Sequence, residues 1–154
     1  MNDLIVKSLA KINIGLNIIN KRDDGFHNLE TIFYPISLYD KISFTKSENF
    51  SFNSNDEKLN TEKTNLIIKA KESLEDHFNI QLPVKVFLDK HVPIGAGLGG
   101  GSSNAASTLT ALSKLFNLNI DNHQLAELAI KLGSDVPYFL NPDPSYAESR
   151  GEII

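Results

Sequence analysis

The sequence predicts an α+β or α/β domain, and three observations carry that prediction. Residues 10–19 alternate apolar and polar side chains with the period of a half-buried strand. Five glycines crowd the seven positions 95–101, between a short β-rich run and a strong helical pattern. Asp121 and Gln124 then form a capping box ahead of a leucine stripe. The elements read β…β-β-α-β-α-α-β in chain order.

Composition sets the outer bounds. A chain of 154 residues is long enough for one domain with a real core. Hydrophobic residues make up 41% and charged residues 22%, ordinary for a soluble globular protein. A net charge of −4, a pI near 5.5 and no basic stripe weigh against nucleic acid as the main partner. A local basic pocket for a phosphorylated small molecule remains compatible with that balance. The chain has no cysteine, which excludes disulfides and thiolate metal sites and fits a cytoplasmic address. Lys7 and Lys11 interrupt the apolar stretches near the start and Asp3 precedes them, so neither a signal peptide nor a membrane span is expected.

In the first strand, Ile12, Ile14, Leu16 and Ile18 fall on one face and Lys11, Asn13, Gly15 and Asn17 on the other, which predicts the isoleucine face as the buried one. "NKRDDGFH" reads as a turn around Asp24-Gly25. "LETIFYPISLYDKISFT" reads as extended segments broken at Pro35, and the polar run 48–64 as a strand end and a solvated loop. Ile67, Ala70, Leu74 and Phe78 recur at helical spacing and predict a helix over 65–78, with a strand over 84–88 behind it. A second helix is expected from Ser102 or Ser103, with Ala105, Leu109, Leu112 and Phe116 on one stripe. The third carries Leu125, Leu128 and Leu132 and ends at Gly133, with "GSDVPYF" directly after it. The last residues, "SYAESRGEII", read as a strand leading into further structure.

The chemistry concentrates in "PIGAGLGGGSSNAAS", residues 93–107. Glycines between a strand and a helix can turn successive backbone N–H groups inward, and the helix start behind them adds unpaired N–H groups and the positive end of its dipole. Phosphate is the natural guest. A Walker A loop requires Gly-Lys-Ser/Thr, and here Gly101 is followed by Ser102. Gly95, Gly97 and Gly100 match the spacing of a dinucleotide fingerprint, but a second helix pattern follows where that fold needs a strand. A protein-kinase glycine loop lies between two strands, and no such strand follows. A flexible linker is disfavoured by Pro93, the strand before and the helix after.

The same stretch resembles the signature of the GHMP small-molecule kinases, in its order of Pro, glycines, Gly-Gly-Gly-Ser-Ser and Asn-Ala-Ala. "AKINIGLNIINKRDDGFHNLETIFYPISLYDKI", "TNLIIKA" and "LGSDVPYFL" are similar to the branch of that family acting on a cytidylylated methylerythritol in isoprenoid biosynthesis. The resemblance implies an α+β, two-layer N-terminal domain with a left-handed βαβ unit, against the usual handedness. Residues 1–154 would then be the N-terminal ATP-binding domain, cut before a C-terminal domain. It implies ATP as co-substrate, Mg²⁺ arriving with ATP and touched by Ser102 or Ser103, and no separate metal site. It implies Asp135 as the catalytic acceptor of a hydroxyl proton and Lys11 as the cation that keeps it ionised and offsets phosphoryl charge. Read without the family, Asp135 is a turn residue and Lys11 a solvated lysine. Pro93, Gly95, Gly97, Gly99, Gly100, Gly101, Ser102 and Ser103 would hold the triphosphate; Asn65, Leu66 and Lys90 would line the adenine side. Asn13 would orient the substrate, with Phe26, His27 and Phe33 around the cytosine ring. On residue type alone, Asn65 is a helix cap and Leu66, Phe26 and Phe33 are core. His77, His91 and His123 are assigned to the surface. Two alternatives stay open: a nucleotide-binding fragment without turnover, and a GHMP kinase acting on another small alcohol.

Overall fold

The computed structural model describes residues 3–21, 25, 27–61 and 64–149. Strand β1 (Leu4–Lys21) and strand β2 (His27–Lys46) pair antiparallel along their lengths. The other edge of β2 is divided between two partners. Lys41–Lys46 pair with β4 (Val84–Asp89), and Leu29–Phe33 pair with β5 (Ser145–Ser149). Strand β3 (Ser51–Ser54) lies parallel to β4 and completes a five-stranded mixed sheet. The β3–β4 crossover carries a short helix, α1 (Glu57–Thr61), and α2 (Leu66–Phe78), which makes the βαβ unit. Helix α3 (Gly100–Leu115), helix α4 (Asn122–Leu132) and a single 3-10 turn (Pro137–Leu140) follow β4.

One core joins the two layers. Ile42, Phe44, Val84, Val86 and Leu88 project from one face of the sheet. They meet Ile67, Ala70 and Leu74 of α2 and Ala105, Leu109 and Leu112 of α3, with Leu128 and Ala129 of α4 behind them. Each set is spaced by 2 on a strand or by 3 and 4 on a helix, the periodicity that places them on one face. Among the described residues no helix is long and apolar enough to cross a membrane.

The helices obey their caps. Asn65 Oδ1 accepts from Ile67 N–H at 2.9 Å and starts α2. Asp121 and Gln124 close the predicted capping box, with bonds of 2.8 and 3.1 Å. Gly133 ends α4 as expected, but in an extended conformation (φ 165°) rather than a left-handed cap. Helix α3 starts at Gly100, two or three residues before the expected serines, because Gly99 supplies the left-handed turn that launches it. The polar run 48–64 holds β3 and α1 where a strand end and loop were expected.

The largest correction concerns β1. The register shifts between Leu9 and Lys11, where Ala10 of β1 lies against the three residues of β2 between Pro35 and Tyr39, and the inward face of β1 changes there. Before it, Ser8 and Ala10 face the helices; after it, Lys11 is buried and Asn13 half-buried, whereas Ile12, Ile14, Leu16 and Ile18 are exposed. The expected inner face is therefore the outer one. Pro35 does not break β2 either: it lies opposite Lys11 at the same irregularity, where a strand tolerates a missing N–H. The turn 20–27 falls largely outside the described residues.

Replacing Asp121 by Ala removes one side of the capping box. Thermal unfolding should show a loss of about 1 kcal/mol, roughly 3 °C in a domain of this size.

Candidate active site

The segment between β4 and α3 forms the wall of a cavity of about 860 Å³. Its other walls are Lys11 and Asn13 of β1, Phe33 of β2, Asn65 and Leu66 at the start of α2, and Asp135 after α4. The glycine loop is strapped to β1, since Lys11 N–H donates to Leu98 C=O at 2.9 Å. Gly99 is required twice over. Its φ is +69°, and a Cβ there would lie 2.6 Å from Phe139 Cζ. Gly101 is different, since a Cβ would meet only Leu66 Cδ1 at 3.6 Å, an ordinary contact. Neither backbone nor packing demands glycine at 101, which borders the cavity.

Helix α3 opens onto this cavity without a cap. Its first intrahelical bond runs from Ser103 N–H to Gly99 C=O at 2.8 Å, so the N–H groups of Gly100, Gly101 and Ser102 precede the ladder. Gly99 has no side chain to accept from them, and the first turn holds no acidic residue. Helices α2 and α4 are both capped by side chains. The open amide dipoles of α3 can therefore receive an anion, with the positive end of a 16-residue helix behind them.

Across the cavity stands a charge pair. The Lys11 side chain, on a residue only 5% exposed, places Nζ 3.6 Å from Asp135 Oδ2. It also donates to Asn13 Oδ1 and lies 4.4 Å above the Phe33 ring centroid. Burial pulls the Lys11 pKa below its usual 10.5, and the nearby Asp135 charge and hydrogen bond push back only in part. Asp135 sits on the turn between α4 and the 3-10 turn, with its side chain 31% exposed and open to the cavity. Beneath it the ring of Tyr138 meets Phe33 and Phe139 edge-on, both at 5.0 Å. The buried Tyr138 hydroxyl is pushed up to about 12, first by burial and then by the Asp143 carboxylate, so it stays protonated.

The structure gathers fourteen of the candidate residues around the one cavity: Lys11, Asn13, Phe33, Asn65, Leu66, Lys90, Pro93, Gly95, Gly97, Gly99, Gly100, Gly101, Ser102 and Asp135. Ser103 is not among its lining residues. It is 2% exposed, and its hydroxyl accepts from Ser8 at 2.8 Å, because it lies on the side of α3 turned to β1. Phe33 is 2% exposed and packed under Lys11 and against Tyr138, so most of its ring belongs to the core. Asn65 reaches the cavity with its carbonyl oxygen already engaged in capping α2. Phe26 and the side chain of His27 lie outside the described residues. Asn104 was missed. It follows the serines by one helical step, is buried, and is among the residues lining the cavity; its amide oxygen is buried without a hydrogen-bond partner.

Comparison with known proteins settles the family. The model of the GHMP kinases N terminal domain matches residues 65–141, half of the chain. The chain belongs to the GHMP kinases. Two relatives named 4-diphosphocytidyl-2-C-methyl-D-erythritol kinase, from Prosthecochloris aestuarii and Pelodictyon phaeoclathratiforme, are 45% and 50% identical over the whole chain. The chain spans 54% of each of those relatives. A crystal structure of a 4-(cytidine 5'-diphospho)-2C-methyl-D-erythritol kinase superposes with a TM-score of 0.85 at 35% identity, over 97% of this chain and 53% of that one. The two-layer architecture expected from the sequence is thus that of the GHMP N-terminal domain.

Three tests follow for this GHMP domain. Gly99→Ala should lower stability by about 1–3 kcal/mol, from the strained φ and the clash with Phe139. Gly101→Ala should leave the melting temperature unchanged or slightly higher yet weaken binding of an ATP analogue, read by thermal unfolding and calorimetry on the same samples. The depressed Lys11 pKa fixes the sign of a pH effect. The folded chain binds this proton less tightly than the unfolded chain does. Its charge therefore costs stability below the folded-state pKa, and that cost is relieved as the pH rises toward 10.5. Lys11→Met should accordingly melt higher than the parent at pH 7, with the difference shrinking at alkaline pH.

Proposed function

We propose that this chain is the ATP-binding part of a kinase that moves the γ-phosphoryl group of ATP onto the 2-hydroxyl of 4-diphosphocytidyl-2-C-methyl-D-erythritol, a cytoplasmic step of non-mevalonate isoprenoid precursor biosynthesis. The relatives' shared name supports the substrate. One structural observation carries the chemistry: an uncapped helix start and the Lys11–Asp135 pair border the same cavity.

In this reading the phosphates lie on the N–H groups at the start of α3, along the loop from Pro93 to Ser102. Asn65, Leu66 and Lys90 flank the adenosine end. Asp135 accepts the proton of the substrate hydroxyl as its oxygen bonds to the γ-phosphorus, the bond to the bridging oxygen breaks, and ADP leaves. Lys11 offsets charge on the transferring group, and its burial strengthens that interaction. Asn13 orients the acceptor, and Phe26, His27 and Phe33 surround the cytosine. No group of three or more His, Asp or Glu side chains that could hold a metal ion occurs among the described residues. The cavity's oxygen donors, Ser102 among them, instead suit a hard cation that arrives on the phosphates; Mg²⁺ supplies charge neutralisation there when bound.

A second reading is nucleotide binding without turnover, and the chain's coverage of about half its relatives' length favours considering it. A coupled ADP-release assay with the cytidylylated methylerythritol separates the two. Turnover that falls about 10²–10⁴-fold in Asp135→Asn, with nucleotide affinity retained, supports the kinase. Saturable binding of an ATP analogue with no turnover in the parent chain supports the binding module. Turnover unchanged in both Asp135→Asn and Lys11→Ala would overturn the assignment of this pair.

A further inference from the structure

From the geometry around Asp40 we infer that this residue of β2 is a positioning residue that holds the glycine loop in its anion-ready shape. The inference rests on the phosphate-binding reading of that loop.

Asp40 is fully buried (0% exposed), and its carboxylate is saturated with donors from one short segment. Oδ1 accepts from His91 N–H at 2.7 Å and from Val92 N–H at 2.8 Å. Oδ2 accepts from Lys90 Nζ at 2.8 Å, and the same ammonium also donates to Val92 C=O. Three consecutive residues at the exit of β4 are thus gathered onto one carboxylate. A buried ion pair is weak evidence for stability, because desolvation offsets most of its attraction. What such a cluster supplies is direction, since charge-assisted bonds to main-chain N–H groups fix where the chain leaves the sheet.

The segment it fixes leads straight into the loop. Val92 lies under the first turn of α3, where a Cβ on Gly100 would meet Val92 Cγ1 at 2.9 Å and Lys90 Nζ at 3.2 Å. The far end of the loop is held separately, by Leu98 C=O on Lys11 N–H and by Ser103 on Ser8. Asp40 is the entry anchor and β1 the exit anchor. Between them the glycines have no side chains with which to hold themselves. Lys90 lines the cavity with its ammonium already committed to Asp40 and Val92, so its first role is to complete the anchor.

The test combines hydrogen exchange of the nucleotide-free chain with calorimetric titration of a nonhydrolysable ATP analogue, for the parent and for Asp40→Asn. Asn keeps an acceptor for the two amides and removes the charge. Exchange about tenfold or more faster at the hydrogen-bonded amides His91 and Val92 within 91–102 and at Lys11 N–H, which holds Leu98 at the loop's far end, with α2 and α4 unchanged, together with analogue affinity weakened about tenfold, is the expected result. Faster exchange spread evenly over sheet and helices would mean a merely structural role and would overturn the inference. Unchanged loop exchange, or unchanged affinity despite faster loop exchange, overturns it as well. If neither protein binds the analogue but loop exchange is selectively faster, the anchor stands and the ATP reading falls. Should Asp40→Asn fail to fold, Lys90→Met asks the same question by exchange alone: selective loosening of 91–102 supports the anchor, and parent-like exchange there overturns it.

Discussion

The unpaired amides at the start of α3 are the constraint around which the rest of this domain is arranged. Most helices satisfy their first N–H groups with a side chain, as α2 and α4 do here through Asn65 and Asp121. Helix α3 instead presents its N-terminus to a cavity, with Gly99 at the position where a cap would stand. Leaving those groups open favours an anion and little else. It also requires that the surroundings hold the turn in place, since the glycines cannot. The buried face of α3 supplies the mass of that support, with Ala105, Leu109 and Leu112 locked into the core.

Much of the fold could be read from the sequence because local rules and tertiary packing agree there. The stripe Ile67, Ala70, Leu74 and the capping box at Asp121 are short-range signals, and the structure uses both as written. The glycine segment was legible as a link between a strand and a helix start for the same reason. Gly99 and Gly101 nevertheless differ: a Cβ at the first would collide with Phe139, and one at the second would make an ordinary contact beside the cavity, and no sequence pattern separates them. Ser102 and Ser103 show a similar limit. They are adjacent and chemically alike, yet one helical step of 100° turns the first to the cavity and the second to Ser8.

The failure at β1 is the more instructive one. Alternation alone places Ile12, Ile14, Leu16 and Ile18 inside, because burial of apolar area is the usual driving force. The structure places Lys11 and Asn13 inside because β1 changes its inward face between Ala10 and Lys11, at the register shift against β2, and that inward face looks onto a cavity rather than a packed core. A bulge leaves no mark in the hydrophobic pattern. Pro35, opposite Lys11, was its nearest trace, and it read instead as the end of a strand.

That same shift gives Lys11 a double attachment from which the geometry of the site follows. Its main-chain N–H holds Leu98 of the glycine loop, while its side chain spans the cavity to Asp135. One residue therefore relates the anion grip to the acidic group, through a paired strand rather than through either loop. Strands hold angles and distances more tightly than loops do, and chemistry that depends on positioning benefits from such a link. The cost is a buried ammonium whose pKa is pulled down by its surroundings and only partly restored by Asp135. A residue chosen for stability at that point would be apolar. In the proposed reading the lysine is tolerated because a cation held 3.6 Å from the Asp135 carboxylate would offset charge moving across the cavity.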